Sequence, residues 1–482
     1  MNASPDAPPS PAPQAGASPS RVARRTRGVC SDCLQEVDAE LVSEPGAAWL
    51  VKTCPVHGET RQLLSRSPEH WLDLDRFFFQ VNPEAWPQRD YMVRLTERCN
   101  LDCPICLAKA NTEDTPDLDL SHLARFLSER RGIKIDLLAA EPTLREDLEE
   151  QVRLVKSSGN IAALHTNGLK LADLDYARRM KDCGVDEVFL QFDGFDDDAH
   201  EVLRGARLTK RRLQAVDNLR EVGLATSLIV VIGRGLNEAQ VGEVYRFALR
   251  PENRHIREVF FLGLRLLGSA RDALLRGRPD LANAAMMPDE IVDLLTAQVP
   301  EISRADIRRF NKLYFSLLSA FQVRKCLYVQ HYMVARDDDG GSRPVAALMD
   351  LAAIERACER YAKGYGRSRR LARVAFLADL ARLGVTRQTL PMLYDLARLQ
   401  LLFKSGMNLG DVPRRFLLLG FITACDPANY DSDVARSCGK GELSADGGLI
   451  DSGADANVLR EARLQGSGKV PGSGRRFRRG KA

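Results

Sequence analysis

The chain has 482 residues, with 69 Lys and Arg against 65 Asp and Glu and a formal net charge of +4. That near-balance excludes a general affinity for polyanions, and the absence of any run of 18 apolar residues excludes a transmembrane helix. A hydrophobic content of 44% with 6% aromatics suits a soluble chain of two or three globular domains.

Residues 1–27 begin MNASPDAPPSPAPQAGASPS, a Pro- and Ala-rich stretch with too little apolar surface to fold, so disorder is expected there. It lacks the apolar core of a signal peptide, which points to the cytoplasm. In a reducing compartment, neighbouring cysteines are metal ligands more readily than disulfides. Residues 28–62 then read as a small metal-binding ribbon. Cys30-x2-Cys33, twenty residues, and Cys54-x2-His57 form two tight knuckles that bring four ligands together for zinc or a single iron. The intervening AELVSEPGAAWLVKT alternates as a hairpin turning at EPGA. Unpaired thiols are the plainer alternative. Lacking a dense basic face, the ribbon suits a structural role better than a grip on nucleic acid. Residues 63–90, with two of the chain's three tryptophans, read as a linker.

From residue 91 to 285, short apolar runs alternate with amphipathic helical stretches, the pattern of parallel βα units. Strands are expected at 91–97, 133–141, 161–168, 186–194, 226–233 and 258–267, with Gly159, Gly184 and Gly223 closing helices. The fold class is therefore α/β, a partial TIM-like (βα)6 barrel. The loop after the first strand reads TERCNLDCPICL. Its Cys99, Cys103 and Cys106 sit where barrels of this kind place their chemistry. A closed structural zinc site takes four ligands. Three thiolates from one loop, with no fourth nearby, suit a four-iron cluster with one iron left open to a small molecule.

Residues 286–440 shift to helices, expected at 288–299, 309–323, 350–362, 369–384 and 389–404. Cys326, Cys425 and Cys438 are scattered through this region and read by themselves as ordinary buried thiols. Cys183 and Cys358 fall on helical patterns and read as core. Residues 441–482, rich in Gly and Ser and basic at the end, read as a disordered tail. Weak contact with RNA or another polyanion is its functional alternative.

The Cys-x3-Cys-x2-Cys triplet after a first strand resembles the radical S-adenosylmethionine (radical SAM) superfamily. A second feature agrees: the second strand ends in AAEPTLREDL, where that superfamily usually carries Gly-Gly-Glu-Pro. The resemblance implies a [4Fe-4S] cluster on Cys99, Cys103 and Cys106 and S-adenosylmethionine on its open iron. Ala139, Ala140 and Glu141 would then hold the methionine amine, and an electron donor such as ferredoxin or flavodoxin would supply the reductant. Asn167 in HTNG and Gln191 and Asp193 in LQFDG are candidates to reach the cosubstrate or the substrate; His165 reads as a packed or supporting residue. The ribbon with CPVHG followed by this barrel resembles a narrower group, the tetraether lipid synthases and hydroxymethyl-dihydropterin methyltransferases. It implies hydrogen abstraction from an unactivated carbon for C–C coupling or methylation of a lipid or pterin-like substrate, and an auxiliary iron–sulfur cluster for which Cys326, Cys425 and Cys438, with His331, are the candidates, loss of that cluster being the alternative. An RNA-modifying enzyme and an inactive scaffold of the same fold are the competing readings.

Overall fold

The structure, a computed structural model, describes residues 20–464 apart from 83–85, 109, 112–115, 267–273, 325, 338–339 and 385–413. The expected helix at 389–404 and the basic end at 466–482 lie outside the described residues.

Alternating apolar residues at the start of the chain build a four-stranded antiparallel sheet of β1 (Arg21–Val29), β2 (Glu36–Glu44), β3 (Ala47–Cys54) and β4 (Gly58–Ser65). The β2–β3 hairpin turns at EPGA, where Gly46 takes φ +77°. Two expectations need correction here. Residues 21–27 are a strand and not part of a disordered tail, because their arginines meet acids. Arg25 pairs with Glu40, Arg27 with Glu36 and Asp38, and Arg24 reaches Asp75, Asp431 and Asp433. The segment 63–90 is likewise more than a linker. Its helix α1 (Pro68–Val81) repeats Trp71, Leu74, Phe77, Phe78 and Val81 on one face and buries all five. Such a stripe is a core helix.

The barrel strands are β5 (Asp90–Arg94), β6 (Lys134–Leu138), β7 (Ile161–Thr166), β8 (Glu187–Gln191), β9 (Ala225–Ile232) and β10 (Ile256–Gly263). They pair in sequence order and in parallel. Between them run α2 (Leu120–Ser128), α3 (Leu148–Ser157), α4 (Leu174–Cys183), α5 (Asp197–Arg204), α6 (Thr209–Glu221) and α7 (Gln240–Leu249). All six expected strands are present, and Gly159, Gly184 and Gly223 take φ of +73°, +109° and +71°. Cys183 and Cys358 are buried, as expected of core thiols.

Helices α8 (Pro288–Gln298), α9 (Arg304–Ala320), α10 (Leu351–Tyr365) and α11 (Arg369–Gly384) follow the helical patterns closely. The sequence reading missed what lies among them. Strands β11 (Val329–Arg336), β12 (Ser342–Pro344) and β13 (Phe416–Ile422) extend the barrel sheet beyond β10. At the other edge, β14 (Gly441–Leu443) pairs in parallel with β5 and antiparallel with β15 (Leu449–Ile450). The short α12 (Ser432–Arg436) precedes them and α13 (Gly453–Leu464) follows. Residues 441–464 are therefore ordered structure and not tail, because their backbone closes the open edge of the first barrel strand. No helix among the described residues is long and apolar enough to cross a membrane.

Candidate metal and cosubstrate sites

In the ribbon, Cys30, Cys33, Cys54 and His57 place one donor atom each within 4.8 Å of all the others. The Cys33 and Cys54 Sγ atoms are 3.8 Å apart, and His57 Nδ1 lies 3.6 Å from Cys30 Sγ and 3.5 Å from Cys54 Sγ. A tetrahedral zinc with ordinary bond lengths of about 2.3 Å to sulfur and about 2.0 Å to nitrogen requires separations close to these. Backbone N–H groups of His57 and Val56 lower the pKa of the Cys54 thiol to about 6, which prepares it as a thiolate. The residues present fit one tetrahedral ion. On the outer faces of this sheet Arg25, Arg27 and Arg61 are spent on Glu40, Glu36, Asp38 and Glu44.

The second site begins where β5 ends. Arg145, in the second-strand motif, donates to Leu95 O at 2.9 Å and Leu118 O at 3.1 Å, tying both ends of the cysteine loop to one guanidinium. Asn111 clamps Cys99 in both directions, accepting from its N–H at 2.9 Å and donating to its carbonyl at 3.2 Å. Three kinds of donor aim at the sulfurs. The Leu101 N–H lies 3.4 Å from Cys99 Sγ, and the Ala110 N–H 3.5 Å from Cys106 Sγ. Asn167 Nδ2 approaches Cys99 Sγ at 3.9 Å, and Arg204 hydrogen-bonds Cys103.

Burial raises the Cys99 pKa to about 11, with Glu141, Cys103 and Cys106 adding to the shift, and burial also raises Cys103. Anionic sulfurs in such a place need a metal centre as counter-charge. Among the described residues, the ribbon quartet is the one set of three or more His, Cys, Asp or Glu with all donor atoms within 4.8 Å. Soft donors and N–H groups aimed at sulfur fit a multi-iron cluster.

The motif after β6 lies beside it. Ala139 and Ala140 have φ of +79° and +25°, the left-handed region that glycine occupies without strain. Glu141 is fully buried. Its Oε1 accepts from the Thr143 N–H, the Thr143 hydroxyl and the Thr166 hydroxyl, at 3.1, 2.6 and 2.7 Å. Its Oε2 accepts a single further bond, from the Asn167 N–H at 2.7 Å. Asn167 therefore joins the motif to the cysteine loop.

Asp193 and Gln191 are placed differently from the expectation that they reach a ligand. Asp193 is wholly buried between Arg204, at 2.8 Å, and Arg212, at 3.0 Å. It also accepts from the Gln191 amide and the Val231 N–H, at 2.7 and 2.9 Å. Burial raises its pKa, but the two guanidinium groups outweigh this and hold it down to about 2. Gln191 is bound to Asp193 and Arg212. The pair fixes Arg204, and Arg204 in turn touches Cys103. Where α5 ends, a Cβ on Gly205 would stand 3.2 Å from Asp102 O, so this helix end is held tight against the cysteine loop. Arg204 and Arg212 carried no signal in the sequence, since an arginine on a helix reads as a solvated face.

Cys326 comes together with Cys425 and Cys438 from a stretch about 100 residues earlier in the chain. Cys425 is hydrogen-bonded to Cys326; that bond, then burial, then the charges of Cys326 and Cys438 push its pKa well upward. Burial and the neighbouring Cys326 also raise Cys438. His331 packs its ring against Tyr314, centroids 4.5 Å apart, and Phe260.

The sheet face turned away from the helices is polar at depth. Register aligns Asp136 with Ala163 and Glu187, and His165 with Phe189. The buried Lys134 pairs with Glu187 and Asp136, and Lys440 bridges Asp136 and Asp90. His165 lies 3.3 Å from Asp136 and flat on Phe189, ring centroids 4.2 Å apart. The side chains of His165 and Lys440 keep 30% and 37% exposure, so the network opens onto accessible space.

Residues 93–248 match the radical SAM superfamily. The match spans the barrel from β5 to α7. Residues 22–66 match the N-terminal zinc ribbon domain of the HMPTM family. A 7,8-dihydro-6-hydroxymethylpterin dimethyltransferase of Methanocaldococcus jannaschii is 26% identical over 86% of this chain and 90% of its own length. A probable GTP 3′,8-cyclase of Pyrococcus abyssi is 26% identical over 34% of this chain and 53% of its own. The mitochondrial GTP 3′,8-cyclase of Arabidopsis thaliana is 34% identical over 31% and 40%. The chain thus spans about half or less of those two cyclases. A solved structure of SuiB from Streptococcus suis bound to S-adenosylmethionine is similar with a TM-score of 0.37 and 17% identity, over 49% of this chain and 53% of that one.

Proposed function

We propose that this radical SAM enzyme methylates a compact, polar, pterin-like ring, and that Cys99, Cys103 and Cys106 hold its [4Fe-4S] cluster. When bound, the cluster and S-adenosylmethionine together supply a 5′-deoxyadenosyl radical able to take hydrogen from an unactivated C–H bond. The chain's own residues do the rest. Glu141 Oε2, with one hydrogen bond made, keeps acceptor capacity for the cosubstrate's ammonium. The left-handed turn at Ala139 and Ala140 presents backbone carbonyls to the same group. Asn167 steadies Cys99, and Asp193 with Gln191 positions Arg204 on Cys103. Cys326, Cys425 and Cys438 would hold an auxiliary iron–sulfur cluster, and the ribbon quartet a structural zinc.

One observation carries the choice of substrate, the partly exposed His165 and Lys440, both paired with the buried Asp136. A long alkyl chain there would desolvate charges without replacing their hydrogen bonds, whereas a ring with amide and amino edges would satisfy them. The near full-length match to a pterin dimethyltransferase supports the same reading. Metabolite extracts of cells with and without the protein provide the test. Methylated pterins should disappear without it. Unchanged pterins together with altered membrane lipids would overturn the assignment.

A further inference from the structure

On the outer rim of the barrel, between the start of α4 and the first turn of α6, lies an open cavity of about 710 Å³. Its lining includes four cations, Lys170, Arg179, Lys210 and Arg211, and one acid, Asp173. The acid is already occupied, capping α4 by accepting from the Asp175 and Tyr176 N–H groups. Arg179 is answered in part by Glu149, at 3.4 Å. Lys210 and Arg211 are exposed and form no ion pair among the described residues.

The local sequence concentrates positive charge at the same place. The first turn of α6 runs Thr209, Lys210, Arg211, Arg212, with no acid in it. Asp197 caps Thr209 and Asp193 neutralises Arg212, but Lys210 and Arg211 stay beside the positive end of the helix dipole. The position adds a second argument. Leu169, in the cavity wall, donates its N–H to Asn167 Oδ1 at 3.0 Å, and Asn167 Nδ2 approaches Cys99 Sγ. Lys170 Nζ donates to Thr143 O at 2.7 Å, directly behind Glu141. Leu169 and Lys170 thus link the cavity wall, through Asn167 and Thr143, to the three-cysteine site.

We infer that this cavity is the docking surface for an acidic one-electron donor protein. The inference rests on the proposed cluster at Cys99, Cys103 and Cys106, which must be reduced from outside the barrel. Exposed cations suit a brief encounter steered by charge, and Leu169 joins that surface to Asn167 beside Cys99.

The experiment uses the full chain with its cluster, wild type and the Lys210→Glu/Arg211→Glu double variant, in anaerobic stopped flow. Cluster bleaching is followed with two reductants, reduced flavodoxin and dithionite. Charge reversal should slow reduction by flavodoxin about tenfold or more at low salt, and added salt should slow the wild type but barely affect the variant. Equal dithionite rates in both proteins would show that the cluster site is intact. Flavodoxin rates unaffected by charge reversal would overturn the inference. So would loss of single-stranded RNA binding in the variant with unchanged flavodoxin rates, since the surface would then serve RNA. Absence of a bleachable iron–sulfur chromophore in the wild type would sink the cluster assignment itself, a distinguishable result.

Discussion

Two alanines hold the least comfortable backbone in the site. Ala139 and Ala140 occupy φ of +79° and +25°, where a Cβ costs energy that glycine avoids. The double change Ala139→Gly/Ala140→Gly should therefore stabilise the chain by about 1 kcal/mol, once glycine's greater unfolded-state freedom is subtracted. Denaturant unfolding at fixed metal content measures it. Lower stability in the variant would mean that the methyl groups pack rather than strain. The sequence revealed the departure from Gly-Gly but not its consequence, because a dihedral is set by the fold around it.

Asp90 gives a prediction with a sign. Burial, then the charge of Asp136, raises its carboxyl to about 6 despite Lys440 and Lys134. A carboxyl raised on folding contributes stability at acid pH that is lost as pH rises through about 6. Stability of Asp90→Asn relative to wild type should accordingly grow by about 2 kcal/mol between pH 4.5 and 7.5. A constant difference across that range would contradict the assignment.

Among the elements, β1 shows why an arginine-rich segment is not always solvated. Arg24 meets Asp75 at 2.9 Å, Asp431 at 2.6 Å and Asp433 at 3.1 Å, joining the ribbon sheet to α1 and to the start of α12. Arg24→Ala would leave two mostly buried carboxylates facing each other, at a cost of about 3 kcal/mol. A melting temperature unchanged by that substitution would show the ribbon held by other contacts. These partners are about 50 and 400 positions away in the chain, so local pattern could not show them. The same reason hid β11, β13 and β14, each of which pairs with a strand far away in sequence. The barrel strands were legible because each carries its own apolar run between helical stretches.

At the scale of the whole molecule, three thiol groupings share one chain: the ribbon quartet, the barrel triplet and the set of Cys326, Cys425 and Cys438. The first two were readable because their ligands are neighbours in sequence. The third depends on folding to assemble, although its residues were candidates from the start. Long-range links unite the parts. Lys52, in the ribbon, donates to Pro427 O at 2.7 Å, two residues beyond Cys425. Arg265, just past β10, pairs with Asp426 at 2.6 Å. The ribbon thus supports the wall beside the third grouping as well as its own metal.

The central claim is that the barrel triplet holds a multi-iron cluster that works on S-adenosylmethionine. Anaerobically reconstituted protein, given S-adenosylmethionine and dithionite, should release 5′-deoxyadenosine, and Cys103→Ala should release none while retaining the ribbon's single metal ion. Wild-type protein with zinc at both cysteine sites and no 5′-deoxyadenosine would contradict the account.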